Sequence, residues 1–248
     1  MSVKIYYDIK QRTPEWFALR QLKMTASNAS AVYAAGKGLD TYVDEIVRNY
    51  FSSRANEDYT DFFKSKATDR GNRDEATARF LYTMVNNLQP SDVVEVGFVT
   101  NSKYGKYVGA SPDSLVKSDG MVEIKSHKDK VFTELAETGE IDKGYIAQMQ
   151  SQTQIAERKW CDYFAYNPNF DPQYIQIRIL PDPCVHAKLE EGYKIGTMKI
   201  KERVEKMGKI FKAPSRELIL PEKKIIKMSN EDQFETKTIE LVNDDPFK

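Results

Sequence analysis

Apolar positions along the chain follow two different periods. From Pro14 to about Asn87 they recur at three- and four-residue intervals, the spacing that gives a helix one apolar face. Pro14 stands where a first-turn proline would, just ahead of EWFALRQL, and Thr25 and Ser27 can cap a helix running from Ala29 to Ala34. Further helices are predicted over Thr41 to Phe51 and over Ala67 to Asn87, the second with Ala76, Phe80, Met84 and Leu88 along one stripe. The period then shortens to two. VVEVGFVTN, KYVGASPD and MVEIKS are rich in β-branched residues and bounded by Gly, Asn or Asp, which predicts a meander of three strands. IDKGYIAQMQSQTQIAERK returns to a helical pattern. Strands follow at WCDYFAYN and QYIQIRIL, with Asn167, Pro168, Asp171 and Pro172 turning the chain between them. A last long helix is predicted from His186 to Phe211, and the segment after Met228 has no strong period, which fits a short helix or no fixed structure.

This order predicts a single α/β domain over residues 1–227, a mixed sheet flanked by helices with its chemistry at the sheet edge, and an acidic tail over 228–248. No internal repeat or Pro/Gly/Ser-rich linker divides it. A 40% hydrophobic share in 248 residues supplies a real core. Lys plus Arg and Asp plus Glu both total 37, so overall charge neither signals nor excludes nucleic acid. Locally, Lys188 to Lys227 carries twelve basic against six acidic residues, either a solvated helix face or the wall of a DNA channel.

Composition removes several chemistries. Cys161 and Cys184 cannot build an iron–sulfur cluster and lack zinc-knuckle spacing, so both are expected reduced and buried. His127 and His186 are the two histidines, too few for a histidine–metal finger, and both are expected to be structural. The N-terminus has no apolar run of signal-peptide length, and no window approaches the ~18 apolar residues of a membrane helix. A soluble, intracellular protein is expected.

The most informative stretch is GASPDSLVKSDGMVEIKS. Asp113 ends one strand, a turn at Ser118 to Gly120 reverses the chain, and Glu123 and Lys125 lie two apart on the next strand. Side chains two apart share a face, so Glu123 and Lys125 project together while Val122 and Ile124 face the core. A hairpin can bring Asp113 beside them. Two carboxylates offer hard oxygen ligands to Mg²⁺, and an ammonium alongside can orient or help deprotonate an attacking water and offset charge on a phosphorane. An isolated E-x-K is usually a solvent-facing ion pair, but the preceding Ser-Pro-Asp predicts a converging site instead.

The segment resembles the catalytic hairpin of the PD-(D/E)xK nucleases, and the chain from about Gln11 to Tyr166 resembles one branch of them, the phage lambda exonuclease (YqaJ-type viral recombinase) family. Four blocks carry the likeness in the family's order: QRTPEWFALRQLKMTAS, RGNRDEATARF, ASPDSL followed by VEIK, and YIAQMQ, similar to a Y-x-x-Q-(V/M)-Q helix. The resemblance implies that Asp113, Glu123 and the Ile124 carbonyl bind metal and that Lys125 is the catalytic lysine. It implies that Glu75 is the helical acidic residue near the metal, serving a second shell or a second ion, and that Gln148 faces the active centre. Arg20, Ser27 and Ser111 match positions that hold the 5′-phosphate. Departures are Leu22, where the family usually has Gly, Ser114 in place of a Gly, and His127 in place of a frequent proline. Simpler readings compete: Glu75 paired with Arg79 one turn on, Gln148 and Gln152 on a solvated face, Arg20 paired with Glu15, and Trp16 as a core anchor.

The resemblance further implies a Mg²⁺-dependent exonuclease, with Mn²⁺ as substitute and two ions per site. Such an enzyme digests linear duplex DNA from the 5′ end to mononucleotides and leaves 3′ tails. Family members often form ring-shaped homotrimers and work with a single-strand annealing protein in phage or prophage recombination, in the cytoplasm of a bacterial host. An endonuclease of the same superfamily, restriction or junction-resolving, and a catalytically idle DNA-binding recombination accessory protein are the alternatives.

Overall fold

The computed structural model describes residues 2–52 and 66–213. The tail over 228–248 and the C-terminal part of the basic stretch lie outside the described residues. A five-stranded mixed sheet forms the centre, in the order β3 (Val93–Val94), β6 (Ser114–Val116), β7 (Gly120–Ser126), β8 (Trp160–Tyr166) and β9 (Tyr174–Ile179). All pairings are antiparallel except the parallel β7–β8 pair. A parallel neighbour needs a crossover, which here carries α5 (Asp129–Thr138) and α6 (Lys143–Ala156).

The two faces of the sheet bury different partners. On β7 and β8, Met121, Cys161, Tyr163 and Ala165 join the main core with Met149 and Ile155 of α6, while Val122, Ile124, Phe164 and Tyr166 pack under Ala78 and Tyr82 of α4 (Lys66–Val85). Beyond α6 lie α2 (Ala29–Ala34), α3 (Lys37–Phe51) and α7 (Pro183–Gly208). α7 approaches α2 closely because a β-carbon at Gly192 would overlap the Val32 carbonyl. Two small sheets complete the fold: β1 (Val3–Tyr6) pairs antiparallel with β4 (Phe98–Asn101), and β2 (Met24–Thr25) pairs parallel with β5 (Val108–Gly109). The first helix, α1 (Pro14–Arg20), is capped by Thr13, whose hydroxyl accepts from Trp16 N–H.

Several expectations need correcting. The three-strand meander is not formed. Gly97, whose missing side chain admits the Ile9 backbone, splits VVEVGFVTN into β3 and β4; β4 meets KYVGASPD at an antiparallel bridge between Val99 and Ala110, and the strand that pairs with β7 is β6, which starts just after Asp113 and does not end on it. Ala76, Phe80 and Met84 do not face the core: Phe80 is 68% exposed, because α4 is turned so that the Tyr82 hydroxyl reaches Asp162. Thr25 and Ser27 make no side-chain cap to α2, whose N-cap is Asn28. Helix α5 went unpredicted, its few apolar residues (Phe132 and Leu135 buried) scattered among charges. Cys184 is exposed in the first turn of α7, whereas Cys161 is buried and both are free. Glu123 and Lys125 lie on the central strand β7, not at the sheet edge. In α7, Lys199 and Arg203 bind Asp40 and Asp44 of α3, so this part of the basic stretch packs helices together.

Asp162 is the charged group most deeply committed to the fold. At 0% exposure it accepts from Arg178 Nε at 2.7 Å and Nη2 at 2.9 Å, from Gln176 at 3.1 Å and from the Tyr82 hydroxyl at 2.8 Å. Removing it strands those donors, so Asp162→Ala is expected to cost about 3 kcal/mol, the lower part of the range because Arg178 reaches water. Urea unfolding checks this; a loss under about 0.5 kcal/mol, the scale of an ordinary surface substitution, would contradict it.

Candidate active site

The β6–β7 hairpin closes through Lys117, in the left-handed region at φ 48°, and its register sets Ser114 opposite Val122. Asp113 therefore falls beside Glu123. Its Oδ2 accepts from the Ile124 N–H at 2.7 Å. An N–H and C=O of one strand residue project to the same side, so the Ile124 carbonyl also points to the edge of β7 that β6, beginning at Ser114, no longer covers. Glu123, 2% exposed, receives Lys125 Nζ and Gln148 Nε2 on Oε1, both at 2.6 Å, and Gln152 Nε2 on Oε2 at 2.8 Å. Gln148 and Gln152 stand one turn apart on α6, so the glutamine face read as solvated is turned onto the carboxylate.

Lys125 is held on its other side by aromatic rings. Its Nζ lies 4.9 Å from the Tyr145 ring centroid, Tyr145 stacks on Tyr163 at 6.0 Å, and the Tyr163 hydroxyl shares a 2.6 Å hydrogen bond with His127 Nε2. His127 is thus a satisfied structural residue. Burial, then the Glu123 and Glu75 charges, push the Asp113 carboxyl well above the usual carboxylate range, against the opposing Lys125 ammonium and Ile124 N–H. Burial works against the Lys125 ammonium, yet Glu123 and Asp113 hold its pKa above the ordinary lysine value.

Glu75 is near enough for Asp113 to feel its charge, but its oxygens are taken: Oε1 by Arg79 at 2.7 Å and Oε2 by Arg12 at 3.0 Å. The pairing with Arg79 at i,i+4 is therefore formed, with Arg12 added from the loop before α1. Among the described residues, no group of three His, Cys, Asp or Glu side chains could hold a metal ion. Two carboxylates and a backbone carbonyl still suit Mg²⁺, which keeps several waters, and a cation there would relieve the charge crowding at Asp113.

The expected phosphate-binding residues also meet. The Arg20 guanidinium lies 4.2 Å over the Trp16 ring, donates to Ser111 Oγ at 3.3 Å and to Thr25 Oγ1 at 3.2 Å. Thr25 Oγ1 contacts Ser27 Oγ at 3.1 Å and the buried Tyr42 hydroxyl at 3.2 Å. Trp16 anchors the core and is the floor for Arg20, and Trp16 Nε1 donates to the Gly97 carbonyl and to Ser111 Oγ, each at 2.9 Å. Ser27 sits in a single 3₁₀ turn, so no long helix dipole aids it. Leu22, where glycine is usual, adopts φ 53°, the conformation that explains the glycine. Thr25, Tyr42, Gln152 and Tyr145 were missed as site residues. Helical spacing from Gln148 could have found Tyr145 and Gln152, but nothing local marks Tyr42.

An α/β fold with an Asp and an E-x-K converging on a central hairpin defines the class of PD-(D/E)xK nuclease folds. The sequence profile of the YqaJ-like viral recombinase domain matches residues 15–159, more than half the chain, so the protein belongs to that family. Among solved structures it is similar to the alkaline exonuclease LHK-Exo from Laribacter hongkongensis, at 29% identity and TM-score 0.69, covering 79% of this chain and 97% of that one. LHK-Exo in complex with dAMP matches at 29% identity and TM-score 0.68 with the same coverage. A phage-related exonuclease from Haemophilus somnus 129PT, at 15% identity and TM-score 0.50 over 75% of this chain and 96% of its own, shares the fold. No curated protein sequence matches the chain.

Proposed function

We propose that the chain is a Mg²⁺-dependent exodeoxyribonuclease that digests linear double-stranded DNA from its 5′ ends, releases mononucleotides and leaves 3′ single-stranded tails for strand annealing. The observation that carries this reading is the coupling of two sites across two residues of chain: Asp113 beside Glu123, which holds Lys125, and Ser111 beside Arg20, which also donates to Thr25. A phosphate held at the second site sets the next phosphodiester over the first. The LHK-Exo neighbours and the family membership support the exonuclease class.

In this reading Asp113, Glu123 and the Ile124 carbonyl hold Mg²⁺, with Mn²⁺ as a substitute. Glu75 serves a second ion or its shell on exchanging an arginine. A bound divalent ion supplies Lewis-acid polarisation of the scissile phosphate and lowers the pKa of water at the site. Lys125, held between Glu123 and Tyr145, offsets charge developing on the phosphate oxygens, and Gln148 fixes the Glu123 carboxylate. Arg20, Ser27 and Ser111 bind the terminal phosphate through a fork of donors and two hydroxyls. Residues 1–227 form the nuclease domain and 228–248 an acidic appendage. The same proposal extends to a ring-shaped homotrimer, a single-strand annealing partner, and action in the cytoplasm of a phage-bearing bacterium; among the described residues no helix is long and apolar enough to cross a membrane.

End-labelled linear duplex and covalently closed circles, each incubated with Mg²⁺, test the reading. Mononucleotides from the linear substrate with intact circles are expected; cutting of the circles would make the protein an endonuclease, and digestion of neither would remove the nuclease reading. Arg20→Ala is expected to erase a preference for 5′-phosphorylated over 5′-hydroxyl ends and to shorten processive runs, with metal-dependent cleavage surviving. Initial rates and product lengths on the two substrates measure this, and full retention of the preference in the variant would remove Arg20 from the pocket.

A further inference from the structure

The Y-x-x-Q-(V/M)-Q pattern ends at Gln150, yet the next glutamine on the site-facing side of α6 touches the buried carboxylate. We propose that Gln152 is a positioning residue: it fixes the Glu123 carboxylate so that Oε2 keeps one lone pair free for a divalent cation. The inference rests on the metal-dependent nuclease reading above.

The hydrogen bonds at Glu123 divide unequally. Oε1 accepts two donors, Lys125 Nζ and Gln148 Nε2, which fills both lone-pair directions of a carboxylate oxygen. Oε2 accepts one, from Gln152. A cation shared between Asp113 and Glu123 is therefore met by Oε2. The terminal torsion of a glutamate is broad, so the carboxylate plane is set by its donors and not by its rotamer. Among the described residues, Gln152 is the donor that holds the Oε2 side.

A second observation shows that the amide is held in a costly orientation for this contact. Gln152 is 1% exposed and its own Oε1 is buried with no hydrogen-bond partner. Turning the amide over would set its carbonyl against Glu123 Oε2, lone pair facing lone pair. The fold keeps an unsatisfied acceptor and thereby keeps the donor on the carboxylate, a local loss of stability of the kind found where a site needs a fixed geometry. Outer contacts of this type, which orient a ligand without touching the metal, change metal affinity when removed.

The test uses the full chain, with Mn²⁺ alone as the calorimetric probe and Mg²⁺ turnover on 5′-phosphorylated linear duplex. Gln152→Met matches the volume, removes the donor and removes the orphaned carbonyl. Its melting temperature in chelator is expected close to that of wild type, because removing the orphaned carbonyl offsets the loss of the donor to the buried Glu123 Oε2. Its Mn²⁺ affinity is expected to fall by about ten- to a hundredfold. Turnover should fall at limiting Mg²⁺ and recover in part at high Mg²⁺, while KM for DNA stays unchanged, a split that a packing role would not produce. Gln152→Asn keeps an amide but draws it back by one methylene, and it carries the same comparison if Met does not pack. Mn²⁺ affinity and Mg²⁺ requirement equal to wild type in folded variants of an active enzyme would overturn this inference alone. A wild type that cleaves no DNA with either metal would overturn the nuclease reading and this inference together.

Discussion

Asp113→Asn is expected to abolish metal-dependent cleavage and to make the metal-free protein more resistant to heat. In the proposed reading the first effect follows from losing one of the two carboxylates, Asp113 and Glu123, that hold the metal, so turnover should fall by roughly three orders of magnitude or more. The second follows from the raised pKa of Asp113, caused by burial and by the charges of Glu123 and Glu75. A carboxyl whose folded pKa lies above its unfolded value costs nothing at acid pH, where both states are protonated. Its penalty grows as pH rises from the unfolded pKa through the folded one and is full above it. Asparagine keeps an oxygen to accept from the Ile124 N–H and carries no charge, so the gain in melting temperature should be present at neutral pH and vanish as pH falls toward ~4. Glu123→Ala should be equally inactive but less stable, because Lys125, Gln148 and Gln152 all donate to that carboxylate in a buried setting. Thermal melts in chelator across pH, beside nuclease assays on linear duplex, separate the two variants. An Asp113→Asn protein that cleaves normally would remove Asp113 from the metal site, and one that melts lower at neutral pH would contradict the electrostatic account.

The parts of this fold that local spacing controls were legible in the sequence, and the parts decided by long-range contact were not. The β6–β7 hairpin and the shared face of Glu123 and Lys125 follow from a strand period of two, and the structure has both. Helix α6 and its glutamines were equally readable as an element, but whether Gln148 and Gln152 met solvent or a carboxylate depended on where the crossover set the helix. The apolar stripe of Ala76, Phe80 and Met84 failed for the same reason. α4 has apolar residues on two sides, and the choice between them is made by a hydrogen bond from Tyr82 to Asp162, 80 residues away in sequence. The strand pairing of residues 98–101 went astray because β1, the partner they take, lies nearly a hundred residues earlier. The Arg20 pocket was inferred from resemblance, and the Thr25 and Tyr42 hydroxyls that brace it became visible only once α3 was packed against β2. Glu75 shows the limit of residue-by-residue transfer. The resemblance places it near the metal and Asp113 feels its charge, but the two arginines that occupy its oxygens include Arg12, which no local pattern connects to it.

Lys125→Ala is expected to separate chemistry from metal binding. Lys125 donates to Glu123 Oε1 and keeps its charge because both carboxylates hold its pKa high, so it is an ammonium at any working pH of the enzyme. A fixed cation beside a phosphate in which negative charge develops stabilises the transition state more than the ground state, and removing it should lower kcat by roughly two to four orders of magnitude. Metal affinity should not fall. Gln148 and Gln152 still fix the Glu123 carboxylate, and loss of a positive neighbour makes the two acids a stronger ligand pair for a cation. Lys125→Met, which refills the cleft against the Tyr145 ring, should behave in the same way and excludes collapse of the aromatic wall as the cause. Lys125→Arg should not restore full activity, because a planar guanidinium cannot occupy the space of a compact ammonium set between Glu123 and Tyr145. Mn²⁺ titration calorimetry combined with single-turnover cleavage reads both quantities on the same samples. If the alanine variant loses Mn²⁺ binding in step with its rate, Lys125 acts on the metal site and not on the transferring phosphate. If it cleaves at the wild-type rate, the lysine of the E-x-K pair has no part in the chemistry.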